Sequence, residues 1–212
     1  MANALGCGHY RSPLYLEGGA IEGNGNGVVI TTEAVALNPN RNPGWSKADV
    51  ETELKKALGA ESIFWLPKGI EGDDTDGHID DLTRFIQEDA IVSITEQNSS
   101  DPNYHILQEN LEKLQDLKTI TGSNVEIVEL PMPDRIVAKD WRLETLPASY
   151  ANFLILNGAV LVPTFAQDKN DDRALGILRE CFSGREVIGI DCRDIIFEGG
   201  AIHCISQQQP KI

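Results

Sequence analysis

The chain has 212 residues, 41% of them hydrophobic, and a formal net charge of -15. That length can bury a substantial core as one large domain or two small ones. The acidic balance argues against nucleic acid or an anionic membrane as partner, since both call for a basic face, and it suits a small cationic ligand. No segment approaches the roughly 20 apolar residues that cross a bilayer. Residues 1–13 lack a basic stretch followed by an apolar core, so no signal peptide is expected. Cys7, Cys181, Cys192 and Cys204 show no CxxC pairing and no dense framework, which favours reduced thiols and a cytoplasmic location.

In chain order, Gly6, Gly8 and Pro13 discourage regular structure over residues 1–15. Residues 16–22 then run into the turn Gly23-Asn24-Gly25-Asn26-Gly27, and the β-branched residues of 28–32 predict a strand. Pro39 and Pro43 make 38–44 a loop. Ser46 with Asp49 three residues on resembles a capping box for a helix over 46–58. Val50, Leu54, Ala57 and Leu58 form its apolar stripe and Gly59 is its stop. A strand at 62–66 leads into an acidic loop around His78.

The order then repeats. A strand at 90–95 precedes a helix over 102–119, opened by Asp101-Pro102 and facing inward through Ile106, Leu107, Leu111, Leu114 and Leu117. A strand follows at 124–130. Residues 131–148, with three prolines and Trp141, form a connection long enough to suggest a functional role. A third round has a strand at 153–156, the hairpin signal Asn157-Gly158, a strand at 159–162, a helix over 171–182 and a strand at 186–190. That helix turns Ala174, Leu175, Ile177, Leu178 and Cys181 inward. Three helices bracketed by strands make an internally repeated α/β unit.

Glu17-Gly18-Gly19-Ala20-Ile21 recurs letter for letter as Glu198-Gly199-Gly200-Ala201-Ile202. Glycine pairs let a main chain approach a neighbour closely, so one backbone task performed twice is expected. The second copy should continue as a short apolar strand carrying Cys204 toward the polar run Ser206-Gln207-Gln208-Gln209. Cys181 on an apolar helix face reads as a small hydrophobe, while Cys192, among Asp191, Arg193 and Asp194, stays open beside Cys204. His78 sits among Asp73, Asp74, Asp76, Asp80 and Asp81, a setting that favours a protonated imidazole for acid–base work. A calcium loop of the EF-hand type fails, because Gly72 and Thr83 stand where ligating carboxylates belong. The Gly23-x-Gly25-x-Gly27 run precedes a strand and is no dinucleotide fingerprint.

The motifs LEGGAIEGNGNG, TTE, NPNRNP, DDTDGHIDDLTRF and EGGAIHCISQQQP, in that order, resemble the agmatine deiminase family and its bacterial-type peptidyl-arginine deiminase relatives, guanidine-modifying enzymes. The resemblance runs from about residue 10 to 210. It implies an α/β propeller of ββαβ units, of which about three of five are visible, the whole of 1–212 being one domain. It implies hydrolysis of agmatine to N-carbamoylputrescine and ammonia, a step toward putrescine, with no cofactor and no metal. Cys204 then matches the nucleophile, His78 the general acid/base, Asp80 a carboxylate gripping the guanidinium, and Glu17 an acidic residue engaging the same group. The family's N-terminal portion, with a Trp-x-Arg-Asp motif, has no counterpart here, and Trp141-Arg142-Leu143-Glu144 is not equivalent. An arc of three units leaves two edges open, which favours a homo-oligomer or a complementing N-terminal fragment. A truncated chain that binds guanidinium without turnover, and a peptidyl-arginine deiminase, are the alternatives.

Overall fold

Three ββαβ units follow one another, each built on its own three-stranded sheet. The structure, a computed structural model, describes Gly6, residues 8–139, Arg142 and residues 144–208; the expectations that fall on Cys7, Trp141 and Gln209 lie outside these. In the first unit β1 (Ile21–Gly23) pairs antiparallel with β2 (Val28–Thr32), which runs parallel to β3 (Ser62–Leu66). Two helices, α1 (Glu33–Ala36) and α2 (Lys47–Leu58), make the crossover. The second unit repeats this with β4 (Thr83–Gln87), β5 (Ala90–Thr95), α3 (Tyr104–Leu114) and β6 (Glu126–Pro131). The third has β7 (Leu154–Ile155), β8 (Ala159–Thr164), α4 (Asp168–Cys181) and β9 (Glu186–Asp191).

The middle strand of each sheet explains its own sequence. Every residue of β2 and β5 is buried, because a strand paired on both edges and covered on both faces reads as a continuous apolar and β-branched run. At α2 the capping box forms as read, Ser46 Oγ accepting from the Asp49 amide and Asp49 accepting from the Ser46 amide. Gly59 ends the helix at φ +69°, a conformation that suits glycine.

Several boundaries move. The first strands of units one and two, β1 and β4, are additional to the strands read from the sequence. They directly follow the glycine-pair and histidine motifs, whose polar residues mask the period. Helix α3 starts at Tyr104, because Asp101 spends its carboxylate on the Asn103 amide in a turn. It ends at Leu114, with Leu117 buried beyond it. Helix α4 begins earlier than read, since Asp171 accepts from the amides of Phe165 and Gln167 and folds the preceding chain onto the helix start. The apolar strand expected after Gly200 is replaced by turns over 202–205, following a 3₁₀ turn at Ile195–Glu198. There the His203 amide bonds to Asn152 rather than to a ladder.

The three units meet at Arg84 on β4. Its Nε donates to Glu22 Oε2 of β1 at 2.8 Å, and its Nη1 donates to the carbonyls of Ala151 and Phe153 just before β7. Glu22 Oε1 accepts the Phe85 amide at 2.9 Å. Both side chains are nearly sealed from solvent, so one guanidinium ties all three units together beneath the site.

Candidate active site

The segments just before β1 and β4, together with the second glycine pair and the turn after it, line one cavity of about 380 Å³. Glu17 precedes the 3₁₀ turn Gly18–Ala20, and His78 precedes the 3₁₀ turn Ile79–Asp81. Asp73 shapes the histidine loop by accepting from the amides of Thr75, Gly77 and His78. Of the loop's other acids, Asp74 pairs with Arg142 and Asp76 with Arg41. The cluster around His78 is therefore mostly consumed by the loop and its neighbours. Asp80 and Glu17 are the carboxylates that face the ring, with Glu17 Oε2 3.4 Å from Nε2 and Asp80 Oδ1 3.9 Å from Nδ1.

Asp80 is the centre of the arrangement. Its side chain is 1% exposed. Oδ2 takes His203 Nδ1 at 2.7 Å and Asn152 Nδ2 at 3.3 Å, and lies 3.7 Å from Cys204 Sγ. Oδ1 is buried without a hydrogen-bond partner. A sealed carboxylate oxygen without a donor is costly. Asn152 joins the pieces, since its Nδ2 also reaches Asp81 Oδ1 at 2.9 Å and Cys204 Sγ at 3.1 Å, while its Oδ1 accepts the His203 amide.

Electrostatics follow from this crowding. Burial pushes the Cys204 thiol well above its ordinary range, and the charges of Asp81 and Asp80 add to it against the Asn152 hydrogen bond. Cys204 is nonetheless exposed at the cavity mouth, so a ligand can reach it. Burial also raises the Asp81 carboxyl well above the usual range, with Asp80 and Asp73 adding to it. At Glu17 burial pushes the carboxyl up, but the Arg41 hydrogen bond and the charges of Arg41 and His78 outweigh it and hold it low. Arg41 Nε lies 2.9 Å from both Glu17 oxygens. One donor atom each from Asp80, Asp81 and Cys204 lies within 4.8 Å of the others, the one such cation-competent cluster among the described residues.

The second glycine of each repeated motif does the same job. A β-carbon on Gly19 would stand 2.6 Å from Asp80 Oδ2 and 2.7 Å from His78 Nδ1, and one on Gly200 would stand 2.5 Å from Cys204 Sγ. Each therefore lets the main chain lie against a reactive group. Of the other thiols, Cys192 is buried and pushed up to about 11 by burial, and Cys181 is half-buried on α4, packed against the core. The structure thus brings Glu17, His78, Asp80 and Cys204 together. Sequence reasoning missed Asn152, His203 and the Glu22–Arg84 pair. Asn152 could have been found by aligning units, because residues 149–152 precede β7 as residues 78–81 precede β4.

The family model of the Porphyromonas-type peptidyl-arginine deiminase matches residues 1–210. The chain belongs to that family. It is 38% identical to a Vibrio parahaemolyticus protein named "Putative agmatine deiminase" over 99% of this chain and 62% of that one. Among solved structures, the agmatine deiminase of Enterococcus faecalis superposes with a TM-score of 0.93 at 31% identity, covering 99% of this chain and 61% of that one. The C. jejuni agmatine deiminase, solved as a cysteine-to-serine variant with substrate bound, gives 0.85 at 35% identity, over 94% of this chain and 57% of its own. The chain therefore spans about three fifths of the length of these relatives. No helix among the described residues is long and apolar enough to cross a membrane.

Proposed function

We propose that the site hydrolyses a guanidinium group through a covalent adduct on Cys204, with agmatine as substrate and N-carbamoylputrescine and ammonia as products. The observation that carries this is the buried Asp80 carboxylate, whose Oδ2 lies 3.7 Å from the Cys204 sulfur while its Oδ1 has no hydrogen-bond partner. A planar guanidinium offers the N–H fork that such an oxygen lacks, and bonding it there brings its central carbon within reach of Sγ.

The charge pattern gives the order of events. Before substrate binds, burial together with the charges of Asp81 and Asp80 holds the Cys204 proton on. A cation seated on Asp80 offsets that field, so substrate binding itself favours the thiolate. The thiol proton passes to His78, and Sγ attacks the guanidinium carbon. His78 then protonates the departing nitrogen, and ammonia leaves an amidino group on sulfur. Water adds to that carbon with His78 as base; the carbon–sulfur bond breaks and the ureido product is released. In net terms guanidinium plus water gives the ureido product plus ammonium. Glu17, held by Arg41, lies 3.4 Å from His78 Nε2 and helps to orient the ring. Asn152 supports the thiolate by donating to Sγ.

Agmatine is favoured over arginine by Glu198 on the cavity wall, which suits a distal ammonium and opposes an α-carboxylate, Glu17 and Asp74 being already paired with Arg41 and Arg142. Reduced thiols fit a cytoplasmic role in polyamine formation. A second reading has a homo-oligomer or a complementing N-terminal fragment supply further parts of the catalytic apparatus. Ammonia release from agmatine, with mass detection of N-carbamoylputrescine, tests the proposal. Release should vanish in Cys204→Ala and His78→Ala. Release unchanged in Cys204→Ala would end the covalent reading. Activity appearing only with an added N-terminal fragment would select the second one, and turnover of peptidyl-arginine in place of agmatine would reassign the substrate.

A further inference from the structure

His203 takes no part in the steps above, yet it is held on every side. Its amide donates to Asn152 Oδ1 at 3.0 Å and to the Asn152 carbonyl at 3.2 Å. Its side chain is 10% exposed, with Nδ1 2.7 Å from Asp80 Oδ2 and Nε2 3.2 Å from Gln208 Nε2. The ring forms a wall between the reactive cavity and a larger hollow of about 610 Å³ where Glu22 and Arg84 face it.

The partners fix the tautomer. An ionised carboxylate only accepts, so Nδ1 carries the proton; an amide nitrogen only donates, so Nε2 presents its lone pair. Both contacts are met together by the neutral imidazole with its proton on Nδ1. An imidazolium would set an Nε2–H against the Gln208 amide. It would also lay a full cation on the carboxylate that has to receive one.

The geometry points to His203 as the positioning residue of the guanidinium grip: a neutral Nδ1–H donor that pins Asp80 Oδ2, leaving Oδ1 free for the substrate. The inference rests on the guanidinium reading of Asp80. Without the His203 contact, Oδ2 keeps only the longer 3.3 Å bond from Asn152 Nδ2, and the plane of the carboxylate is less firmly set. With it, one oxygen is assigned to the protein and the other to the ligand. The ring does this without cancelling charge in a site where Asp80, Asp81, His78 and the Cys204 thiol already crowd together. Histidine beside the nucleophile thereby aims the carboxylate that sets where the nucleophile strikes.

Agmatine titrated calorimetrically into Cys204→Ala, and into the same chain carrying His203→Asn or His203→Leu, separates the possibilities, with the ¹⁵N imidazole spectrum of the unsubstituted chain beside it. The expected spectrum has the His203 proton on Nδ1. Asn can place its amide nitrogen where Nδ1 stands, so His203→Asn should bind within about threefold of its parent. His203→Leu should bind at least about tenfold more weakly, the loss of one charge-assisted hydrogen bond, with an unfolding temperature near the parent's. Equal binding by His203→Leu, equal loss in both variants, or a proton on Nε2 would each overturn the inference while leaving the guanidinium reading intact. A parent that binds no agmatine would overturn the reading and the inference together. Should His203→Leu fail to fold, His203→Asn and the spectrum still decide.

Discussion

Arg84→Met removes a side chain that bonds all three units. The substitution keeps most of the length and apolar stem of the arginine while deleting its charge. Glu22 then keeps only the Phe85 amide of the bonds described above, with its side chain 11% exposed. The carbonyls of Ala151 and Phe153 lose the donors they had at 3.1 and 2.8 Å, and the Phe153 ring loses the guanidinium 4.9 Å from its centre. Breaking a buried ion pair by removing one partner costs about 3–5 kcal/mol, chiefly through the charge left behind. At this chain length each kcal/mol corresponds to roughly 2–4 °C, so the unfolding temperature should fall by about 6–20 °C. Differential scanning fluorimetry or calorimetry reads this directly. The double variant Arg84→Met/Glu22→Leu should recover part of the loss, because it removes the stranded carboxylate as well. A drop below about 2 °C in the single variant would refute the view that this pair holds the units together.

Asp81→Asn should stabilise the chain near neutral pH. Folding raises this carboxyl's pKa, so the unfolded chain ionises first, and the stability it contributes is lost as pH rises from the unfolded value toward the folded one. The advantage of Asn should therefore shrink in acid, where both groups are neutral; a lower unfolding temperature near pH 7 than the parent's would contradict this. Alkylation of Cys204 by iodoacetamide should be slow at neutral pH and rise with alkalinity, and Asp80→Asn should accelerate it by removing one of the charges that keep the thiol protonated. A slower reaction in Asp80→Asn would reverse the electrostatic account. Gly19→Ala and Gly200→Ala each drive a methyl into Asp80 and His78 or into Cys204. Agmatine turnover should fall at least about a hundredfold in each, as displacements near 1 Å at a reacting centre do, and near-wild-type rates would show that the close approach has no catalytic consequence.

What could be read in advance follows from where the information lies along the chain. The buried middle strands β2 and β5 announce themselves as apolar runs, and α2 carries its own cap and stop, so these elements were legible to the residue. β1 is three residues long and β4 follows directly on an acidic motif, and neither offers enough period to register. His78 stood out by the carboxylates around it, whereas Cys204 was told from Cys192, and Asp80 and Glu17 were given roles, by the family resemblance of their motifs. Asn152 stood in Tyr150-Ala151-Asn152-Phe153, which reads as ordinary core, and it gains its meaning from contacts 52 and 72 positions away. Helix α3 shows the limit of local signals, since Asp101-Pro102 is a sound start on paper and the Asp101 carboxylate was taken by a turn. The turns at 202–205 were settled by the Asn152 contact, which no local propensity encodes.

The central claim is that Cys204 attacks a guanidinium carbon aimed by Asp80. Acid-quenched chain mixed with agmatine, digested and analysed by peptide mass, tests it most directly. The account predicts a Cys204 peptide heavier by agmatine less ammonia, lost in Cys204→Ala and in Asp80→Asn. Ammonia released from agmatine with Cys204 unmodified, or with Cys204→Ala still active, would contradict it.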